Sequence, residues 1–168
     1  MTRNITLVAL LSAICVVSRI VLQFLPNIKP VTTIIILVAL YIGATESIEV
    51  AFVSTMVSNM VLGMGIWTVF QILSWVVIAV LASILSPVLK RLSPFALSLY
   101  SAANGFLFGF IVSWEKLLYV GVKGFWIYYI SGIPFDVLHA VGNFAFCLVF
   151  AIPLKKVFEN NSLRTGSF

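Results

Sequence analysis

Runs of about twenty apolar residues follow one another along almost the whole chain, and the charged residues fall mostly in the breaks between them. With 62% of the 168 positions apolar and 9% charged, a polar exterior for a water-soluble globule cannot be assembled. The solvent for which such a chain is written is a lipid bilayer. A hydrocarbon core of about 30 Å takes roughly 20 residues of helix, which leaves room for about six spans and no soluble domain. The expected fold is therefore an all-α membrane protein: a bundle of about six transmembrane helices forming one domain over residues 1–168.

The punctuation marks place the spans. The first apolar run extends from about Ile5 to Leu25 and is ended by Pro26-Asn27-Ile28-Lys29-Pro30, since two prolines within five residues cannot continue a helix. It lacks a small-residue cleavage site and reads as a retained helix rather than a signal peptide. A short run follows from Val31 to Gly43, then Ser47 to Leu62 behind Glu46 and Glu49, then Trp67 to Leu89, Phe95 to Leu118 and Gly132 to Phe158. The aromatic- and glycine-rich stretch Tyr119 to Tyr129, with Lys123, is predicted to be an interfacial loop.

Six spans return both termini to one side. Arg3, Lys90, Arg91, Lys155, Lys156 and Arg164 then lie on the terminal side, and Lys29, Lys116 and Lys123 on the other. That bias predicts cytoplasmic termini. The net charge of +5 is thus spent on topology, not on nucleic acid. Cys15 and Cys147 sit alone in apolar runs and read as buried thiols, with neither a disulfide nor a metal site implied. No glycine-rich phosphate-binding run is present, so ATP-driven work falls to a partner.

Polar residues inside the spans are few, and each needs a partner or a cavity. Asp136, His139 and Asn143 share one face of the last span at i, i+3 and i+7, pointing into the bundle. They either satisfy one another between helices or face a ligand. Arg19, with Gln23 one turn further out, either snorkels to the interface or serves as a cavity donor or a counter-ion for Asp136. Trp67, Gln71 and Trp75 are spaced i, i+4 and i+8; a headgroup belt explains Trp67 but not Trp75, and an aromatic platform beside an amide suits a flat polar ligand. Asn59 belongs to the same outer layer, whereas Asn104 is expected to bond to a neighbouring helix. Ala9 with Ala13, and Gly105 with Gly109, are small-residue pairs at four-residue spacing that allow close helix approach.

This order of features resembles the substrate-binding S-components of energy-coupling factor (ECF) transporters, the ABC-type vitamin importers of prokaryotic cell membranes. The likeness covers the whole chain and rests on the span number, Ala9-x-x-x-Ala13, the Pro-rich loop from Leu25 to Val31, and Gly132-Ile-Pro-Phe-Asp136 leading to His139 and Asn143. It implies that Ala9 and Ala13 dock on a transmembrane coupling subunit, EcfT, itself bound to two cytoplasmic ATPases, EcfA and EcfA′. It implies further that Pro26 to Pro30, with Lys29 and Pro30, cover the site, and that Arg19, Asn59, Trp67, Gln71, Trp75, Asp136, His139 and Asn143 line a vitamin pocket. The whole bundle would topple to deliver its cargo inward. No cofactor or metal of the chain's own is implied, and the chain is not expected to be an enzyme. The loop at Pro26 to Val31, Gly63 to Thr68, and Gln71 with Trp75 are most similar to cobalamin-specific S-components. Pantothenate, which as an anion would pair with Arg19 or Lys29, riboflavin and a queuosine precursor are the alternatives.

Other classes fit less well. An intramembrane enzyme would have His139 and Asp136 as base and orienter, yet no nucleophile or metal motif accompanies them, and Glu46 with Glu49 more simply complement a helix N-terminus. A channel needs polar residues through the full depth, whereas the inner halves of the spans are apolar. A scaffold needs no polar outer layer at all.

Overall fold

Proline, glycine and serine set the helix boundaries in the computed structural model, which describes residues 2–163, with side chains from 5 to 158. The elements are α1 (Thr2–Val21), α2 (Val31–Tyr41), α3 (Ala44–Leu62), α4 (Ile66–Ile84), α5 (Ser86–Leu89), α6 (Pro94–Val112), a 3-10 turn (Ser113–Lys116) and α7 (Leu117–Leu163). No strand occurs among the described residues. Arg164 and the side chain of Arg3 lie outside them.

The departures from expectation have local causes. The first helix stops at Val21 and the chain turns through Leu22–Leu25 ahead of Pro26. The fourth run divides into α4 and α5 because Pro87 has no N–H with which to continue the ladder. Ser93 caps α6 by accepting from the Ala96 N–H at 3.2 Å, with Pro94 at the first helical position. Tyr119 to Tyr129 is not an interfacial loop but part of α7, broken at Gly121, whose φ of +64° a side chain would resist. The aromatics there are helical because they have something to pack on: Phe125 and Tyr129 lie 5.9 and 5.3 Å from the Phe110 ring of α6.

Two stretches, Ile66–Ile84 and Pro94–Phe158, are long and apolar enough to cross a membrane, and Ile5–Val21 and Val31–Tyr41 are shorter apolar helices. α2 is the exception that organises the rest. It is only 11 residues long, and ten of these are buried. A helix apolar all round must be enclosed on every side, and α2 packs against α1, α3, α4, α6 and α7. Its Val, Ile and Leu side chains form the centre of the core with Val50, Ile78 and Cys147. The outward faces of the surrounding helices carry exposed Leu10, Val17, Met60, Val61, Val69, Ile84, Val141 and Val149, an apolar girdle far beyond what water tolerates as a patch.

The two small-residue pairs have different roles. A Cβ on Gly105 would fall 2.7 Å from the Ala140 backbone nitrogen, and one on Gly109 would strike the Asp136 carboxylate, so this pair brings α6 and α7 together. Ala9 and Ala13 instead face outward from α1, exposed. Cys15 and Cys147 are free and buried, as their surroundings in the sequence implied.

Candidate ligand-binding site

The end of α1, the start of α2, the α3–α4 turn and the middle of α7 meet at one end of the bundle. There they enclose a cavity of about 300 Å³. Of the ten residues expected to bind ligand, Arg19, Lys29, Asn59, Trp67, Gln71, Trp75 and His139 line it. Pro30, Asp136 and Asn143 do not. Pro30 instead precedes the first turn of α2, its carbonyl accepting from the Ile34 N–H at 2.9 Å. Asp136 is turned against Gly109 of α6, where the missing side chain leaves room for its carboxylate. Asn143 ties α7 to α6 by donating its side-chain amide to the Ser101 carbonyl at 3.2 Å, and its backbone carbonyl accepts from Thr33.

Arg19 is the centre of the site. It is 6% exposed, so it does not snorkel to the interface. Its Nη2 donates to Asn59 Oδ1 at 2.8 Å and to Gln71 Oε1 at 3.2 Å, and the guanidinium carbon lies 5.1 Å from the Trp75 ring centroid. Asn59 in turn donates to Gln71 Oε1 and to Thr68 Oγ1, both at 2.9 Å, which fixes both amides in the orientation that accepts from the arginine. The cation is thus held in place by neutral dipoles alone. Its Nη1 is buried without a hydrogen-bond partner among the described residues. No ion pair joins Arg19 to Asp136, or Asp136 to His139; Glu115 pairs instead with Lys116, away from the site.

A second chain of bonds fixes the opposite wall. Trp75 Nε1 donates to Thr32 Oγ1 at 3.0 Å, and Thr32 Oγ1 lies 3.0 Å from His139 Nε2. The arrangement that satisfies all three groups has Thr32 donating to Nε2, which places the imidazole proton on Nδ1. That Nδ1 is buried with no partner. Phe108 closes the wall, 4.7 Å from Trp75 and edge-on to His139 at 4.9 Å. Arg19 and His139 thus each hold a buried nitrogen without a partner, and both side chains line one cavity to which, among the described residues, no carboxylate contributes.

The loop between α1 and α2 contributes Gln23, Asn27 and Lys29 to the same cavity. Asn27, at φ +57°, donates to the Phe135 carbonyl of α7 at 3.2 Å and holds the loop over the site. Burial, and then the Arg19 charge, push the Lys29 ammonium below its usual pKa. Phe108 in the lining and Thr32 behind it are positions that the sequence reading missed, whereas Asn27 lies in the Pro26 to Pro30 loop expected to cover the site. A hydroxyl at the start of the shortest apolar run was the available signal for Thr32. Asn104 bonds within its own helix, to the Tyr100 carbonyl at 2.8 Å, and not across helices as expected. A site with a cation and amide dipoles, aromatic walls and no acid can hold a small anion by charge-assisted bonds.

The chain belongs to a family of unknown function, DUF6580, whose model matches residues 1–161. No curated protein and no solved structure matches it.

Proposed function

We propose that this chain, whose family leaves its activity open, is the substrate-binding subunit of an ECF-type importer and captures a compact organic anion. In this reading it is a multi-pass protein of a prokaryotic cell membrane with cytoplasmic termini and the cavity facing outward. The observation that carries the reading is Arg19: a buried guanidinium oriented by two amides, with one nitrogen unpartnered and no carboxylate in the cavity lining. Burying a cation without a counter-charge costs several kcal/mol, and a bound carboxylate is the group that offsets it. The cavity's size bears on the choice among vitamins. At about 300 Å³ it lies at the lower end of small-molecule sites. Pantothenate, a carboxylate with hydroxyl and amide groups, suits both its volume and its charge. Cobalamin is several times too large to be enclosed there, and riboflavin or a queuosine precursor would stack on Trp67 and Trp75 but leave Arg19 unanswered.

The coupling partners are the transmembrane subunit EcfT and the ATPases EcfA and EcfA′, which supply the hydrolysis. The exposed Ala9 and Ala13 face supports a docking role, since small outward residues let a second protein's helix approach closely. Ala9→Leu with Ala13→Leu is expected to abolish uptake in cells that contain the coupling subunits while leaving ligand affinity of the purified variant unchanged.

Calorimetric titration of the purified chain against pantothenate, riboflavin and cobalamin tests the reading. The expected result is one-to-one binding of pantothenate that is lost on Arg19→Gln. Tight binding of cobalamin or riboflavin instead would keep a binding subunit and overturn the anion; silence toward all three would overturn the importer subunit itself.

A further inference from the structure

The opposite end of the bundle holds a second cavity, of about 320 Å³, where the end of α2, the α5–α6 connection and the last turns of α7 converge. Its lining is of two kinds. Leu92, Leu97 and Ile152 are among the residues of an apolar floor, and Val88 and Phe95, close by in sequence, are exposed. Lys90, Lys155 and Lys156 are also among its lining residues, and among the described residues no carboxylate lines it. Lys90 and the pair Lys155-Lys156 are 65 residues apart in sequence, so the fold itself brings these like charges together against their mutual repulsion. Lys90 is held at the edge by the Tyr41 ring, its ammonium 5.8 Å from the centroid.

We propose that this groove seats one anionic phospholipid, its phosphate among the lysines and an acyl chain along the apolar floor. A soluble anion has no use for Leu92, Leu97 and Ile152, and a zwitterionic lipid places a cation where the lysines already stand. The combination of an apolar floor, a lysine cluster and a position at one end of a bundle with an apolar girdle matches a lipid of the leaflet that flanks it. The positive-inside bias puts that leaflet on the cytoplasmic side. The inference needs the chain to lie in a membrane but is independent of what the first cavity binds.

Native mass spectrometry of the purified full chain, exchanged into detergent with equal phosphatidylglycerol and phosphatidylcholine, tests it. The expected result is one retained phosphatidylglycerol and little phosphatidylcholine. Lys90→Gln with Lys156→Gln should reduce that preference by about 25-fold, since each lysine at an anionic surface contributes about fivefold. The charge-preserving Lys90→Arg with Lys156→Arg should keep it, which separates recognition from loss of fold. Equal retention of both lipids, or an unaltered preference in the glutamine variant, would overturn the proposal. Displacement of the lipid by millimolar inorganic phosphate alone would also overturn it, by assigning the lysines to a free phosphoryl compound. A requirement for an acidic protein segment in place of lipid would do the same.

Discussion

The two cavities lie at opposite ends of α2 and have nearly equal volumes, about 300 and 320 Å³, yet they hold their cations in opposite ways. At one end Arg19 is buried, bonded to Asn59 and Gln71 and set beside the Trp75 ring. At the other, Lys90 and Lys156 are exposed on long flexible stems above an apolar floor. The difference is one of preorganisation. A fork of fixed donors in a low-dielectric site recognises one anion geometry strongly, whereas screened ammonium groups offer a weak, adaptable attraction. The first arrangement suits selective capture of a soluble molecule present at low concentration; the second suits a lipid that is always at hand.

The most severe way to break this contrast is to remove the buried cation. Arg19→Gln is expected to weaken anion binding by about 2–5 kcal/mol, the cost of losing one partner of a buried charged pair, read by calorimetry. If affinity barely changes, the outer cavity is no more preorganised than the inner one. Thr32→Val comes next: it keeps the shape but leaves Trp75 Nε1 and His139 Nε2 without their shared hydroxyl. A loss of about 1–3 kcal/mol of stability is expected, together with weaker ligand binding, by thermal unfolding and titration. A smaller effect is expected from pH. Because burial and Arg19 lower the Lys29 pKa, and the charged ammonium is the form that attracts an anion, affinity should decline as pH rises through that lowered value. Lys29→Gln should flatten the profile. Smallest of all, Lys90→Gln with Lys156→Gln should leave affinity in the Arg19 cavity unchanged, since the length of α2 lies between the two sites. A change there would show that the ends communicate.

The helix ends at Pro26–Pro30, Gly63–Gly65 and Pro94 were legible, because proline and glycine interrupt a helix there, whereas α7 runs on through Gly132, Pro134 and Pro153, where the last span was expected to begin and end. What depends on neighbours was not legible. Tyr119 to Tyr129 carries the composition of a membrane interface, and only the presence of Phe110 opposite its rings makes it part of a helix. The central position of α2 was likewise hidden. Its shortness argued against a span, but nothing local states that the other helices surround it. In the site, the outer layer of Arg19, Asn59, Gln71 and Trp75 could be found from periodicity and from the cost of polar groups in hydrocarbon. The direction of Asp136 could not, because it is decided by an absent side chain on another helix, at Gly109. Arg19 was open between interface and cavity for a related reason: an arginine two turns from the membrane edge can reach either, and the amides on α3 and α4 decide.

The shortness of α2 has an electrical consequence. Eleven residues of helix span about 16 Å, roughly half of the hydrocarbon thickness of about 30 Å. In the proposed membrane orientation, water in the hollow that contains Arg19 would thin the insulating layer along this axis, and part of the transmembrane voltage would fall before that hollow's base. An anion that enters from outside and reaches Arg19 has already crossed part of the field, against an interior-negative potential worth about 2.3 kcal/mol per charge per 100 mV over the full drop. Occupancy of the outer hollow by a charged solute should therefore respond to polarisation of the cell, and a neutral solute of the same shape should not feel it.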